Sequence, residues 1–265
     1  MSGQQVALFI LQDADEAGYF YHDLEQTKSH EVLFFPSSYK RAVKYGQRDA
    51  ANEILRTEVL TRLTTKGRRK TLLVVTHPEA LAERVVSKQQ LDQRVVTLRQ
   101  GESVDMNDLR KRLLALGFHE QDYVYEPGQF AIRGSILDVY SFSSELPFRI
   151  DFFDDEIDSI RSFEVESQLS KEKKEVVDIV PELSERAERR IPFFDFLPKE
   201  ALLVMKDYTY VRDTIAQVFD DGFSNQALTE RLEQASEMER LQITRELQRE
   251  NALLSGAEFV AAADR

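Results

Sequence analysis

Three short apolar runs near the start of the chain place the strongest constraint on its fold. They are VALFIL (residues 6–11), EVLFFP (31–36) and TLLVVT (71–76). Continuous apolar runs of this length are typical of strands buried on both faces of a parallel sheet. Helix-like stretches separate them, notably DAANEILRTEVLTRLTT (49–65). This alternation predicts an α/β layer with right-handed crossovers over residues 1–90.

A different pattern begins near residue 91. SVDMNDLRKRLLALGF (103–118) predicts a helix with Ser103 or Asp105 at its N-cap. Strand-like segments follow this helix, at 122–126, 129–133, 135–140, 146–153 and 156–164. Consecutive strands joined by short turns predict an antiparallel α+β domain, inserted over residues 91–180.

Two connections in this inserted domain have a recognisable composition. EPGQ (126–129) predicts a type II turn with Pro127 and Gly128 as its central residues. The charged run SKEKKEVVDIVPE (170–182) predicts a solvated linker that closes the domain.

The α/β pattern returns over residues 181–265. ALLVM (201–205) predicts another buried strand, and YVRDTIAQVF (210–219) predicts a helix. The polar stretch 225–251 predicts a surface or partner-docking helix because its apolar residues are scattered. The predicted fold class is therefore α/β, with a parallel-sheet domain interrupted by an antiparallel α+β domain.

Charge and residue usage limit the function. Lys and Arg number 35 against 47 Asp and Glu, a net charge of -12, so we expect weak, sequence-independent DNA binding at best. The chain has no Cys, which excludes disulfides and thiolate chemistry and suits a reducing compartment. Its first apolar run is too short for a signal peptide or membrane span, so we expect a cytoplasmic protein without a membrane partner. A buried-type strand almost at Met1 is typical of a fragment of a longer protein.

Motifs for nucleotides, metals and nucleophilic catalysis are absent from the sequence. TTKGRRKT (64–71) has the basic residues of a phosphate-binding loop but not the glycines of GxxxxGK[ST], so a solvated turn is the favoured interpretation. GxGxxG and GxSxG are missing, and the four histidines show no metal-binding spacing. We therefore predict no catalytic residue, no metal and no cofactor for this chain.

An acidic run offers one remaining possibility for a cation site. Its carboxylates are Asp151, Asp154, Asp155, Glu156 and Asp158. Mg²⁺ is usually held by one or two carboxylates plus substrate phosphates. However, residues 154–156 lie where two strands must turn, and Asp is favoured in turns. The favoured interpretation is a charged hairpin lip, which also blocks edge pairing.

The strand before this lip has two different faces. A strand sends successive side chains to opposite sides. One side of residues 148–153 is an ordinary core face, formed by Phe148, Ile150 and Phe152. The other side carries two charges and a large aromatic ring, from Arg149, Asp151 and Phe153. Solvent exposure alone does not explain this second set.

The same alternation turns Arg133 of QFAIRG (129–134) outward, and direct pairing of the two strands would place Arg133 near the second face. Two arginines around an exposed phenylalanine are typical of an interface hot spot. Exposed charges cost little to remove, so each Arg→Ala change should alter the folding free energy by at most about 0.5 kcal/mol. The alternative is that Phe153 packs under the turn while the arginines pair with Glu126 or Asp151.

A long stretch resembles a known family. YEPGQFAIRGSILDVYSFSSELPFRIDFFDDEIDSIRSFEVESQ (125–168) resembles the most characteristic part of the bacterial transcription-repair coupling factors (Mfd), whose N-terminal module is similar to the excision-repair protein UvrB. Weaker similarity covers residues 6–205. The resemblance implies an incomplete, helicase-like (RecA-related) domain over 1–90 and 181–265, interrupted by a UvrA-binding domain over 91–180. It also implies which residues contact UvrA, namely Arg133, Arg149 and Phe153, with Asp151 beside them.

Two departures from UvrB concern the nucleotide site. UvrB carries a P-loop ahead of the strand that begins here at Val6, and this sequence does not contain that segment. UvrB also has an acidic Walker B pair after the strand matching ALLVM, where this chain has Lys206 and Asp207. A lysine removes the Mg²⁺-linked acceptor and adds a repelling charge. The resemblance implies that ATP, Mg²⁺, RNA polymerase and double-stranded DNA bind other domains of the full-length protein, an ATP-dependent DNA translocase.

Two classes of function remain open. The favoured one is a non-catalytic module that recruits the damage-recognition protein UvrA to stalled RNA polymerase for transcription-coupled nucleotide-excision repair. The alternative is a fragment of a UvrB-like, DNA-dependent ATPase that engages damaged DNA directly. The acidic balance, the absent P-loop and Lys206 favour the first class. A scaffold that holds the full protein in a resting state is compatible with it.

Overall fold

The chain folds into two compact units. The computed structural model describes residues 5–38, 49–64, 71–183, 190–222 and 249–264, together with residues 232, 236, 240 and 244. One unit combines Met1–Lys88 with Ala187–Arg265, and the other is Gln89–Arg186. The pattern of strand-like and helix-like segments in the sequence had predicted these boundaries after residues 90 and 180. Among the described residues, no helix has the length and apolar character needed to cross a membrane.

The discontinuous unit contains the parallel sheet. Its described strands are β1 (Val6–Ile10), β2 (Glu31–Phe35), β3 (Leu72–Thr76), β4 (Val85–Val86), β13 (Arg190–Ile191) and β14 (Leu202–Met205). Its described helices are α1 (Ala14–Gln26), α2 (Ala50–Thr64), α3 (Pro78–Ala82), α6 (Tyr208–Asp221), α7 (Arg249–Ala252) and α8 (Gly256–Ala263). A 3-10 helix covers Phe193–Phe196, and helix α4 (Lys88–Arg94) begins at the last residue of the unit's first segment.

Four parallel strands form the centre of this unit, in the order β14–β1–β3–β2. The central strand β1 is buried through Val6, Leu8 and Ile10. The three N-terminal apolar runs are thus confirmed as strands of one parallel sheet. β14 differs from the predicted buried strand, because Leu202 and Val204 are 61% and 36% exposed. It lies at the edge of the sheet, so its side chains are less covered than those of β1.

The second unit contains the antiparallel sheet. Its strands are β5 (Val96–Arg99), β6 (His119–Glu120), β7 (Gln129–Arg133), β8 (Ile136–Val139), β9 (Phe148–Phe153), β10 (Glu156–Phe163), β11 (Ser170–Lys174) and β12 (Val176–Ile179). Its helices are α4 (Lys88–Arg94) and α5 (Met106–Ala115). Six strands form the sheet, in the order β11–β10–β9–β8–β7–β6. All neighbours are antiparallel except β6 and β7. The mixed class, with a parallel sheet and an antiparallel sheet, is confirmed.

One face of this sheet forms the core of the second unit. Inward-facing side chains of β7–β10 pack against α5 and against the two-stranded ribbon of β5 and β12. The central members of this core are Phe130, Leu137, Phe148, Ile150, Phe152, Ile157 and Ile160. Helix α5 begins at the expected cap, because the carboxylate of Asp105 accepts the N–H of Asp108 at 2.9 Å. The core face of β9 is therefore the one that its alternation predicted.

Two segments of the second unit differ from the sequence prediction. Residues 122–126 do not form a strand, because the side-chain oxygen of Gln129 accepts the N–H groups of Tyr125 and Glu126 in place of a neighbouring strand. The predicted linker 170–182 instead contains β11 and β12. Lysines on β11 are compatible with an edge strand, where they discourage further pairing.

The EPGQ turn is confirmed. Gly128 has φ +86°, and the N–H of Gln129 donates to the carbonyl of Glu126 at 3.2 Å. The predicted helix over 225–251 falls almost entirely outside the described residues, as does most of the basic segment 64–71.

Candidate protein-interaction site

The second face of the six-stranded sheet carries the residues singled out from the sequence. Strand β8 lies between β7 and β9, so the two strands with the predicted arginines do not pair directly. In one cross-strand row Asp138 on β8 lies between Ala131 and Arg149. In the next row Ile136 lies between Arg133 and Asp151. Direct pairing of β7 with β9 was therefore wrong, although both arginines reach the same face.

Asp138 joins the two arginines. Its side chain is 1% exposed and accepts two hydrogen bonds from Arg149, from Nε at 2.7 Å and from Nη2 at 2.8 Å. The Nη2 group of Arg133 also donates to this carboxylate. Two parallel N–H groups of an arginine that donate to the two oxygens of one carboxylate form some of the stronger hydrogen bonds in proteins. The result is a buried acid held between two cations.

The sequence contained a signal for Asp138. In ILDV (136–139) the alternation places Leu137 and Val139 on the core face, and Asp138 on the opposite face. A charged residue at that position on a central strand needs a partner. From the sequence, Glu126 or Asp151 were the expected partners of the arginines. Both assignments were wrong, because the arginines pair with Asp138 and Asp151 pairs with Arg161.

Arg149 has further contacts that hold it in place. Its guanidinium carbon lies 4.3 Å from the ring centroid of the buried Phe163. Its Nη2 donates to the side-chain oxygen of Gln168 at 2.9 Å. Gln168 has φ +58°, a left-handed conformation that costs energy for a residue other than glycine. The backbone after β10 thus bends so that Gln168 contacts Arg149.

These contacts correct the expected exposure of Arg149. Its side chain is only 15% exposed, against 35% for Arg133. The hydrogen bond to Asp138 raises the pKa of the Arg149 guanidinium; burial lowers it, and the charges of Asp138 and Asp151 raise it further. The premise that both arginines are freely exposed is therefore wrong for Arg149.

Asp151 has a different partner. Its carboxylate accepts a hydrogen bond from the hydroxyl of Ser159 at 2.8 Å and from Nη2 of Arg161 at 2.6 Å. Both donors lie on β10, the neighbouring strand. Arg161 was not singled out from the sequence, but it lies directly opposite Arg149 in the sheet register.

Phe153 is the most exposed of the predicted site residues. It ends β9 with 75% of its surface exposed. The alternative in which it packs under the following turn was therefore wrong. Asp154 in that turn has φ 52°, which Asp tolerates better than most residues. The turn thus leaves an uncovered aromatic ring at the end of the strand.

The acidic run forms the predicted hairpin lip. Asp154 and Asp155 connect β9 to β10, and the carbonyl of Asp155 accepts the N–H of Val104 at 2.7 Å. Within the part of the chain that the structure describes, no group of three or more acidic or histidine side chains could hold a metal ion.

Cations outnumber anions on the second face of the sheet. The sheet register places four cations and three carboxylates there: Arg133, Arg149, Arg161 and Lys173, with Asp138, Asp151 and Glu156. The face thus carries a net charge of about +1 within a chain of net charge -12, so its local charge has the opposite sign to that of the whole chain.

The proposed Walker B positions lie in the other unit. Lys206 follows β14 and is exposed, and Asp207 is the N-cap of α6, where its carboxylate accepts the N–H of Tyr210 at 3.0 Å. Both residues line a shallow cleft with Ile10 and Gln12 at the carboxyl end of β1. Asp207 therefore has a structural role in starting a helix.

The second unit matches a known domain family. The family model described as the UvrB interaction domain covers residues 96–184, which include all four predicted contact residues of this face. The match lies within the unit Gln89–Arg186 that the fold separates.

Curated relatives agree with this match. A transcription-repair-coupling factor from Haemophilus influenzae is 28% identical over 178 residues, 67% of this chain and 15% of the relative. The protein of that name from Escherichia coli K12 is 40% identical over 101 residues, 38% of this chain and 9% of the relative. The one from Bacillus subtilis 168 is 43% identical over 81 residues, 31% of this chain and 7% of the relative.

The chain thus spans a sixth or less of these relatives' length. The family resemblance seen in the sequence is confirmed. Residues 96–184 match the UvrB interaction domain family, and the chain is similar to transcription-repair-coupling factors.

Proposed function

We propose that this chain is a non-catalytic module that binds UvrA and thereby recruits nucleotide-excision repair to stalled RNA polymerase. The observation that carries the proposal is the exposed ring of Phe153 on the same sheet face as Arg133 and Arg149, within a UvrB interaction domain. Aromatic and arginine side chains supply most of the binding energy at protein interfaces. UvrA is the partner that the family resemblance implies.

The buried carboxylate of Asp138 supports this role. Because it holds both arginines, their guanidinium groups lose little further freedom when a partner binds. Fixing long side chains in advance reduces the entropic cost of association. Arg133 keeps 35% of its side chain exposed, which leaves surface for a partner. Asp138 and Gln168 therefore act as positioning residues.

The discontinuous unit supports a non-catalytic role. We infer that it is a degenerate, helicase-like (RecA-related) domain, since its parallel strands and intervening helices have the layout that the resemblance implies. Lys206 and Asp207 occupy the degenerate Walker B positions. ATP and Mg²⁺ would then serve the motor of the full-length protein, and RNA polymerase and double-stranded DNA would bind its other domains.

Phe153→Ala tests this proposal with the least risk to the fold. The ring is 75% exposed, so its removal should leave the melting temperature unchanged. Binding to purified UvrA, measured by biolayer interferometry at low and high salt, should weaken at least about tenfold. Leu114→Ala is the matched control, because Leu114 is 44% exposed on α5, the helix that packs on the core face of the sheet.

The expected result is loss of affinity for Phe153→Ala alone, with both variants melting like the unaltered chain. Equal affinity of Phe153→Ala and the unaltered chain would contradict the assignment of this face. Absence of any UvrA binding by the unaltered chain would contradict the proposed function itself.

A further inference from the structure

Two exposed tyrosines lie at one end of the second face. Tyr123 is 52% exposed and Tyr125 is 62% exposed, and their ring centroids are 6.5 Å apart. Val124 between them is 2% exposed, so the segment turns its small apolar residue inward and both large rings outward. Single exposed apolar side chains are ordinary, but an adjacent pair of rings forms a patch that needs an explanation.

The segment that carries the rings is anchored along its length. The side-chain oxygen of Gln129 accepts the N–H of Tyr125 at 2.9 Å. The N–H of Gln121 donates to the carbonyl of Phe130 at 2.8 Å. The carbonyl of Asp122 accepts a hydrogen bond from Nη1 of Arg133 at 3.0 Å. The tyrosines therefore stand on a fixed backbone, which lowers the entropic cost of using them in a complex.

Arg133 connects the tyrosines to the rest of the face. Its guanidinium carbon lies 4.9 Å from the ring centroid of Tyr123, within the range of a cation–π contact. The same guanidinium donates to Asp138, the carboxylate that also holds Arg149. Neighbouring strands lie about 4.8 Å apart, so β9, which carries Phe153, is about 10 Å from β7. Arg133 thus lies between the two tyrosine rings and the strand that carries the exposed ring of Phe153.

We propose that Tyr123 and Tyr125 form a second group of partner contacts, so that the docking surface for UvrA extends from Phe153 across Arg133 to these rings. The inference rests on the proposed function and adds two residues to its contact surface. Because Arg133 connects the tyrosine rings to the rest of the face, we assign them to the same partner. We expect flat apolar or peptide groups of that partner opposite the rings, and hydrogen-bond acceptors opposite Arg133.

Single-stranded nucleic acid is the competing occupant, because bases stack on exposed tyrosines. The structure argues against it on charge. Arg133 is paired with the buried Asp138, and the chain carries a net charge of -12. Nucleic-acid binding depends on neutralising phosphates with free cations.

The experiment compares variants of the full chain for affinity to purified UvrA and for melting temperature. Tyr125→Ala is the central variant, because it leaves the contact between Tyr123 and Arg133 in place. Tyr123→Phe keeps the ring over Arg133 and tests whether the ring or the hydroxyl is used. Tyr19→Ala is the matched control, a tyrosine that is 76% exposed on α1 in the other unit.

We expect Tyr125→Ala to weaken UvrA binding several-fold and the Tyr123→Ala, Tyr125→Ala double variant at least about tenfold. Tyr123→Phe and Tyr19→Ala should bind within about twofold of the unaltered chain. All variants should melt like the unaltered chain, because the mutated rings are more than half exposed. A fluorescent single-stranded oligonucleotide, titrated in parallel at physiological salt, should show no tyrosine-dependent binding.

The outcomes separate the two proposals. Normal UvrA binding by the double variant, with loss of binding in Phe153→Ala, would overturn this inference and leave the proposed function standing. Absence of UvrA binding by the unaltered chain would overturn both. Tyrosine-dependent binding of the oligonucleotide, with unchanged UvrA binding, would assign the rings to nucleic acid instead.

Discussion

Replacing Arg149 with alanine should destabilise the second unit, and the structure gives the magnitude. The change removes two hydrogen bonds to a carboxylate that is 1% exposed, and it uncovers the ring of Phe163. Removing one partner of a buried ion pair costs roughly 3–5 kcal/mol, because the remaining charge stays buried without compensation. Arg133 still donates to Asp138, so we expect the lower end of this range, about 3 kcal/mol.

Thermal and urea unfolding followed by circular dichroism can measure this loss. For a unit of about 100 residues, 3 kcal/mol corresponds to a fall in melting temperature of about 12 °C or more. Lys111→Ala is the control, since Lys111 pairs with Asp108 at 3.0 Å in an exposed ion pair and should not shift the transition. A double-mutant cycle of Arg149→Ala with Asp138→Ala should show a coupling of about 1–3 kcal/mol.

A melting temperature for Arg149→Ala within about 2 °C of the unaltered chain would refute the reasoning, because 1 kcal/mol alone should shift it by more. Additive effects of the two substitutions in the double-mutant cycle would also refute the reasoning. The prediction also bears on the functional test. Loss of UvrA binding in Arg149→Ala could come from either the missing contact or the damaged fold, and this is why the exposed Phe153 is the better probe of the interface.

Four further predictions concern the discontinuous unit and nucleotide binding. In Gly256→Ala the new Cβ would meet the Cβ of Ala216 at 2.9 Å, which should cost about 1–3 kcal/mol in chemical unfolding. Gly18→Ala on α1 meets nothing within 4 Å and should instead be neutral or stabilising. Burial raises the pKa of Glu258, but hydrogen bonds from Ser255 and a neighbouring arginine outweigh it, so this pKa lies below its ordinary value of 4.5. The stabilising contribution of Glu258 is therefore complete above its ordinary pKa of 4.5 and is lost as the pH falls through the lower folded-state pKa. Glu258→Gln should flatten the melting profile below about pH 4.5. Mg-ATP should give no binding isotherm in calorimetric titration, and a clear micromolar isotherm would contradict the prediction that this chain has no nucleotide site.

The sequence predicted the elements of this fold well where a single local pattern decides the outcome. The continuous apolar runs became β1, β2 and β3, and the EPGQ turn formed with Gly128 at φ +86°. The prediction from sequence failed over 122–126 and 170–182, because the hydrogen-bond partners of the backbone decide there whether a strand forms. A side chain, Gln129, takes the hydrogen bonds that a strand would have made in the first case. In the second, the charged residues of β11 pair with β10 at the edge of the sheet, and β12 pairs with β5.

The candidate site shows the same division. Which side chains share a face follows from the period-two geometry of one strand, so Arg149, Asp151 and Phe153 could be grouped from residues 148–153 alone. Which residue each of them contacts depends on the order of strands across the sheet. That order arises from burying the whole core, a property that no short stretch of sequence contains. Because β8 lies between β7 and β9, the arginines meet at Asp138 and Arg149 is largely buried, whereas the ring of Phe153 extends past the sheet into solvent.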